Sequence, residues 1–97
     1  MDIAGRCEPR FSSVRAALQS SLERGADVGA SVSVTHEDET VVDLYGGHLD
    51  DARSKPWQAD TIVNVYSTTK TMSFLCMLML ADRGELDFDA NVATYWP

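Results

Sequence analysis

Ser67 and Lys70 are the pair in this 97-residue chain whose types and spacing suit covalent chemistry. Residues three apart on a helix are surface neighbours, so Ser67-Thr68-Thr69-Lys70 sets a hydroxyl beside an amine on one face. A serine hydroxyl is a poor nucleophile until a neighbouring base takes its proton. A lysine can serve as that base only in its neutral form, which burial and nearby positive charge both favour. At the first turn of a helix, backbone N–H groups and the helix dipole stabilise negative charge, and the N–H of Ser67 itself is a candidate oxyanion donor. The spacing alone decides nothing, because nine serines and two lysines give such a pair by chance roughly one time in five. The competing account is a surface first turn with Ser67 or Thr68 as helix N-cap.

The elements that must position this pair are legible on either side of it. Phe11, Val14, Leu18 and Leu22 recur at spacings of three and four, which predicts an amphipathic helix, with Pro9 suited to its first turn and Gly25 to its stop. From Val28 the period changes to two. Ala30, Val32 and Val34 alternate with Ser31, Ser33 and Thr35, as in a strand with one buried face. The charged turn His36-Glu37-Asp38-Glu39 leads into the β-branched and aromatic run Thr40 to Tyr45, which predicts an antiparallel hairpin. Gly46-Gly47 ends the second strand and opens a polar loop through Asp50, Asp51, Pro56 and Asp60. Thr61 to Tyr66 reads as a short extended lead-in.

Ser67 to Arg83 contains neither Gly nor Pro, and Phe74, Leu75, Met77, Leu78, Met79 and Leu80 nearly encircle the helix axis. A helix apolar all round is expected to be buried centrally, and Gly84 supplies its left-handed stop. One amphipathic helix and one hairpin are too little to cover it, so further chain is expected to do so. Lys70 at the start of such a helix is poorly placed as an unpaired ammonium, which favours a functional role. The stretch from Leu86 to Pro97 shows no clear period.

Composition narrows the function classes. The formal net charge is -7, with only two Lys and six scattered Arg where a phosphate-binding surface needs them clustered, so neither nucleic acid nor an anionic membrane is expected as a partner. Cys7 and Cys76 stand in unlike settings and form no CxxC pattern, and His36 and His48 have no ligand-spaced partner, so no metal or cofactor is expected. Glu37-Asp38-Glu39 and Asp50-Asp51 read as solvated loop faces, and Met72, Met77 and Met79 as adaptable packing. The first residues show no basic region followed by an apolar one, and the apolar run Met72 to Ala81 is shorter than a membrane span. The expectation is a cytoplasmic protein with reduced thiols.

The ordered residues around the tetrapeptide carry a resemblance. Gly29-Ala30, Tyr45-Gly46-Gly47, Pro56-Trp57, Asp60-Thr61, Ser67-Thr68-Thr69-Lys70, Asp82-Arg83-Gly84-Glu85-Leu86-Asp87 and Val92 with Tyr95-Trp96-Pro97 together resemble the N-terminal part of the serine β-lactamase/D-Ala-D-Ala carboxypeptidase-like hydrolases, close to class C β-lactamase-like esterases. The resemblance implies an α+β fold in which residues 1–97 form the N-terminal fragment of one β-lactamase/transpeptidase-like domain: a helix, an antiparallel hairpin, and a buried central helix starting at the nucleophile. It implies an acyl-enzyme hydrolase with Ser67 as nucleophile and Lys70 as the group that helps remove its proton. The substrate is then a small ester or amide, most simply that of a carboxylesterase. A β-lactamase, a D-amino peptidase and a non-catalytic ligand-binding homologue are the alternatives. Such proteins also use a tyrosine and a Lys-Thr-Gly-like strand motif that lie beyond position 97. The implied partner is the remaining part of the same polypeptide, and the 97 residues alone are expected to be inactive.

Overall fold

The computed structural model describes residues 2–97. It divides into two units, residues 1–62 and 63–97.

The first unit is a three-stranded antiparallel sheet with one helix packed on it. Its elements are β1 (Ile3–Cys7), α1 (Ser12–Glu23), β2 (Gly29–His36) and β3 (Glu39–Gly47), with strand order β1-β3-β2. The helix forms as the spacing predicts. A 3-10 turn over Pro9–Phe11 leads into it, with Pro supplying the preset φ of a first turn. Phe11, Val14 and Leu18 are half-buried along one stripe, Leu22 is fully buried, and Gly25 leaves the helix at φ +69°.

The hairpin also forms as expected, with a tighter turn. Its two central residues, Glu37 and Asp38, carry φ of 51° and 63°, the positive values that a two-residue type I′ turn requires to match strand twist. Along β2 the half-buried Ala30, Val32 and Val34 alternate with exposed Ser31, Ser33 and Thr35. The register shifts between Val34, paired with Val42, and Thr35, paired with Thr40. The extra residue is Val41, and this bulge breaks the two-residue alternation. Val41 and Val42 are consequently both fully buried, and with Leu44 they form the core against Ile3, Phe11, Val14, Leu18 and Val32.

One strand goes beyond the sequence reading. Ile3–Cys7 pairs with β3 along Ile3↔Gly46 to Cys7↔Val42, which makes β3 the central strand. Its middle residues Ala4, Gly5 and Arg6 offer no alternation of apolar and polar groups. Gly5 sits at φ +98°, and a Cβ there would lie 2.0 Å from the Asp43 carbonyl oxygen, so the strand depends on glycine at the close approach.

The second unit holds a 3-10 turn over Tyr66–Thr68, the helix α2 (Thr69–Asp82) and a second 3-10 turn over Val92–Thr94. Thr61 to Tyr66 forms no strand. Gly84 ends the helix region at φ +73°, with Arg83 N–H on the Met79 carbonyl at 3.1 Å. Asp87 does turn chemistry, accepting from the Asp89 N–H at 2.9 Å, while its own N–H donates to the Tyr95 hydroxyl at 2.8 Å.

Residues 1–97 leave this helix uncovered, as expected of a helix that needs further chain to bury it. No residue of α2 is buried, and Phe74, Leu75, Met77, Leu78 and Met79 are all exposed. The physical reason is local: the second unit has only short turns beside α2, and these cannot cover a helix that is apolar all round. The α+β class stands.

Candidate active site

Ser67 and Lys70 are brought together, and by a joint between two kinds of helix. Ser67 is the middle residue of the 3-10 turn, and Lys70 is the second residue of α2. Lys70 Nζ lies 3.4 Å from Ser67 Oγ, at the outer limit of a hydrogen bond, with both side chains exposed. The capping account of the same residues finds no support. Thr68 occupies the N-cap position of α2 without a side-chain cap bond, and the 3-10 turn begins from Val65. Ser67 Oγ instead accepts from the Lys70 amine.

The backbone leading into Ser67 is strained. Tyr66 holds φ +47°, a left-handed conformation that costs an L-residue about 1–2 kcal/mol. Two hydrogen bonds hold the turn. The Tyr66 N–H donates to Asn64 Oδ1 at 3.2 Å, and the Thr68 N–H donates to the Val65 carbonyl at 3.0 Å. Tyr66 is 79% exposed. Sequence reasoning left this turn out; the only signal for it was an Asn two residues before Tyr66, the spacing of an Asx turn.

The remaining candidates have settings of their own. His36 ends β2, its Nδ1 3.9 Å from the Glu37 carboxylate on an exposed surface. His48 follows β3, where its N–H donates to the Val28 carbonyl at 2.9 Å. Cys7 and Cys76 are free thiols. Among the described residues, no group of three His, Cys, Asp or Glu side chains is placed to hold a metal ion, and no helix is long and apolar enough to cross a membrane. In the polar loop, the Ser54 hydroxyl and backbone N–H both donate to the Asp50 carboxylate and hold it below the usual carboxylate range. An apolar groove of about 280 Å³ runs between Met77 of α2 and Leu86, Phe88, Val92, Tyr95 and Trp96.

The Beta-lactamase family model matches residues 14–97 of this chain, the Ser67–Lys70 turn included. The chain belongs to the β-lactamase family. Two of the relatives it matches are named as esterases. It is 38% identical over 95 residues to an esterase/beta-lactamase, LipL, of Mycobacterium tuberculosis, a match that covers 98% of this chain and 22% of that protein. Among solved structures it is similar to a family VIII carboxylesterase, at 47% identity and a TM-score of 0.92. It is also similar to a penicillin-binding protein homolog from Caulobacter crescentus, at 39% identity and a TM-score of 0.90. Both matches cover the whole of this chain and 26% of the other. The chain therefore spans about a quarter of the length of the relatives it matches. Its helices and antiparallel sheet correspond to the N-terminal part of the β-lactamase/transpeptidase fold.

Proposed function

We propose that the protein is a serine hydrolase that works through an acyl-enzyme, with small esters as its substrates. The observation that carries this reading is the approach of Lys70 Nζ to Ser67 Oγ at the head of α2. Ser67 Oγ attacks the ester carbonyl as its proton passes to Lys70. The tetrahedral intermediate then expels the alcohol, which leaves with a proton, and the acyl group stays on Ser67. Water attacks the acyl-serine in turn and releases the acid. The family VIII carboxylesterase, the relative with the higher identity of the two solved structures, favours an ester over an amide as the carbonyl source.

A β-lactamase or D-amino peptidase activity is the second reading, favoured by the relatives named as an esterase/beta-lactamase and a penicillin-binding protein homolog. Residues 1–97 serve in either case as the N-terminal fragment of one domain, and the remaining part of the polypeptide covers the apolar surface of α2. Two free thiols accord with a reducing, cytoplasmic location. The test compares a nitrophenyl ester with a chromogenic cephalosporin, using the protein at its full natural length. Ester turnover that disappears in Ser67→Ala supports the carboxylesterase, and preferential cephalosporin turnover supports the second reading. Turnover of neither substrate, with no covalent adduct, points to a ligand-binding homologue.

A further inference from the structure

Four residues other than glycine hold a positive φ among the described residues: Glu37, Asp38, Arg53 and Tyr66. Glu37 and Asp38 make the hairpin turn, where positive φ matches strand twist. Arg53 closes a surface turn, its N–H on the Asp50 carbonyl at 3.0 Å. Tyr66 has no such general reason. It is an aromatic residue in a left-handed conformation, and it stands next to Ser67. Strain of this kind persists only where neighbouring interactions hold it.

The interaction that addresses Tyr66 directly comes from Asn64. Its side-chain carbonyl folds back onto the backbone and accepts the Tyr66 N–H at 3.2 Å, forming an Asx turn. We propose that Asn64 is a positioning residue for acyl transfer: its bond to Tyr66 holds the left-handed turn from which Ser67 emerges facing Lys70. This rests on the Ser67–Lys70 reading given above. Without the bond, Tyr66 relaxes to a negative φ. The peptide joining residues 66 and 67 then rotates, and Ser67 Oγ is carried away from Lys70 Nζ. The separation of 3.4 Å leaves no margin for such a movement. The Tyr66 ring has no part in the device, which uses only the backbone of that residue.

The test measures the rate of labelling by a fluorophosphonate probe, together with kcat and KM on a nitrophenyl ester, in the protein at full natural length. Circular dichroism verifies the fold of each variant. Asn64→Leu and Tyr66→Val are expected to lower kcat and the labelling rate on the order of 10- to 100-fold while leaving KM near its original value. Asn64→Asp keeps the acceptor and recovers most of the loss. Tyr66→Gly adopts positive φ without strain and falls less than Tyr66→Val. A role for the ring gives the opposite order, with Tyr66→Gly as poor as Tyr66→Val and Tyr66→Phe close to the parent. The inference is overturned if the parent labels at Ser67 and Asn64→Leu labels equally fast, or if Asn64→Asp is as slow as Asn64→Leu. Should Asn64→Leu fail to fold, the Asp variant and the Tyr66 order decide. A parent protein that shows no label at Ser67 overturns the hydrolase reading itself, and the inference with it.

Discussion

Truncating Leu22 should cost the first unit more than any other single change in α1, and the loss should be partly recoverable from the opposite strand. Leu22 is the one fully buried residue of the helix, at 1% exposure. It packs where β3 carries two glycines: a Cβ on Gly46 would lie 3.3 Å from Leu22 Cδ1, and one on Gly47 3.0 Å from Cδ2. With no side chain on the strand able to fill the space, Leu22→Ala leaves a cavity that collapses poorly, and the expected cost is about 3 kcal/mol. Gly46 has no positive φ, so alanine is conformationally acceptable there, and its tight contacts are with Leu22, Ile3 and the Asp2 carbonyl. In the Leu22→Ala background the contact with Leu22 is gone and the new methyl fills part of the cavity. The double variant should therefore be about 1 kcal/mol more stable than the sum of the single changes. Denaturant titration of the full-length protein, with amide exchange at Val42 and Leu44 as the local readout, measures this cycle. Strict additivity would refute the direct packing of Leu22 on the glycine pair. A Leu22→Ala cost below about 1 kcal/mol would refute its place in the core.

Lys70→Arg should slow acylation of Ser67 by roughly 10²- to 10⁴-fold, because a guanidinium stays charged and cannot accept the serine proton; a labelling rate equal to the parent's would remove Lys70 from the chemistry. The Asp50 carboxyl should titrate below its ordinary value of 3.8, because Ser54 stabilises the ionised form. A lowered folded-state pKa contributes stability above the unfolded value, and that contribution is lost as pH falls through the folded one. Carboxyl chemical shifts should show the Asp50 midpoint rising in Ser54→Ala, and an unchanged midpoint would break the assignment. Residues 1–97 expressed alone should self-associate and bind a hydrophobic dye through Phe74, Leu75 and Leu78, whereas the full-length protein should not. A monomeric, dye-silent fragment would contradict the proposed covering of α2.

Local pattern makes much of this legible in the sequence. Phe11, Val14, Leu18 and Leu22 announce α1 because a helix needs only neighbours three and four apart. The hairpin follows from a change of period on either side of a charged turn. The Ser67–Lys70 proximity follows from the same helical spacing. The rest depends on partners distant in sequence or on conformations that residue type disfavours. β1 is invisible because Ala4, Gly5 and Arg6 earn their place by pairing with Asp43, Leu44 and Tyr45 across the whole hairpin. The double burial of Val41 and Val42 depends on a bulge that no alternation predicts. The uncovered state of α2 within residues 1–97, by contrast, is legible, since an apolar helix needs partners on all sides and one helix and one hairpin are too few to supply them. The left-handed Tyr66 is the hardest case: nothing in an aromatic residue suggests that backbone, and Asn64 is the only hint beside it.

The most direct test of the central claim is intact-mass analysis of the full-length protein before and after a fluorophosphonate probe, followed by peptide mapping. A single adduct on Ser67 that is absent in Ser67→Ala is the predicted result. A protein that stays unlabelled, or an adduct on another residue, would contradict the assignment of Ser67 as the nucleophile.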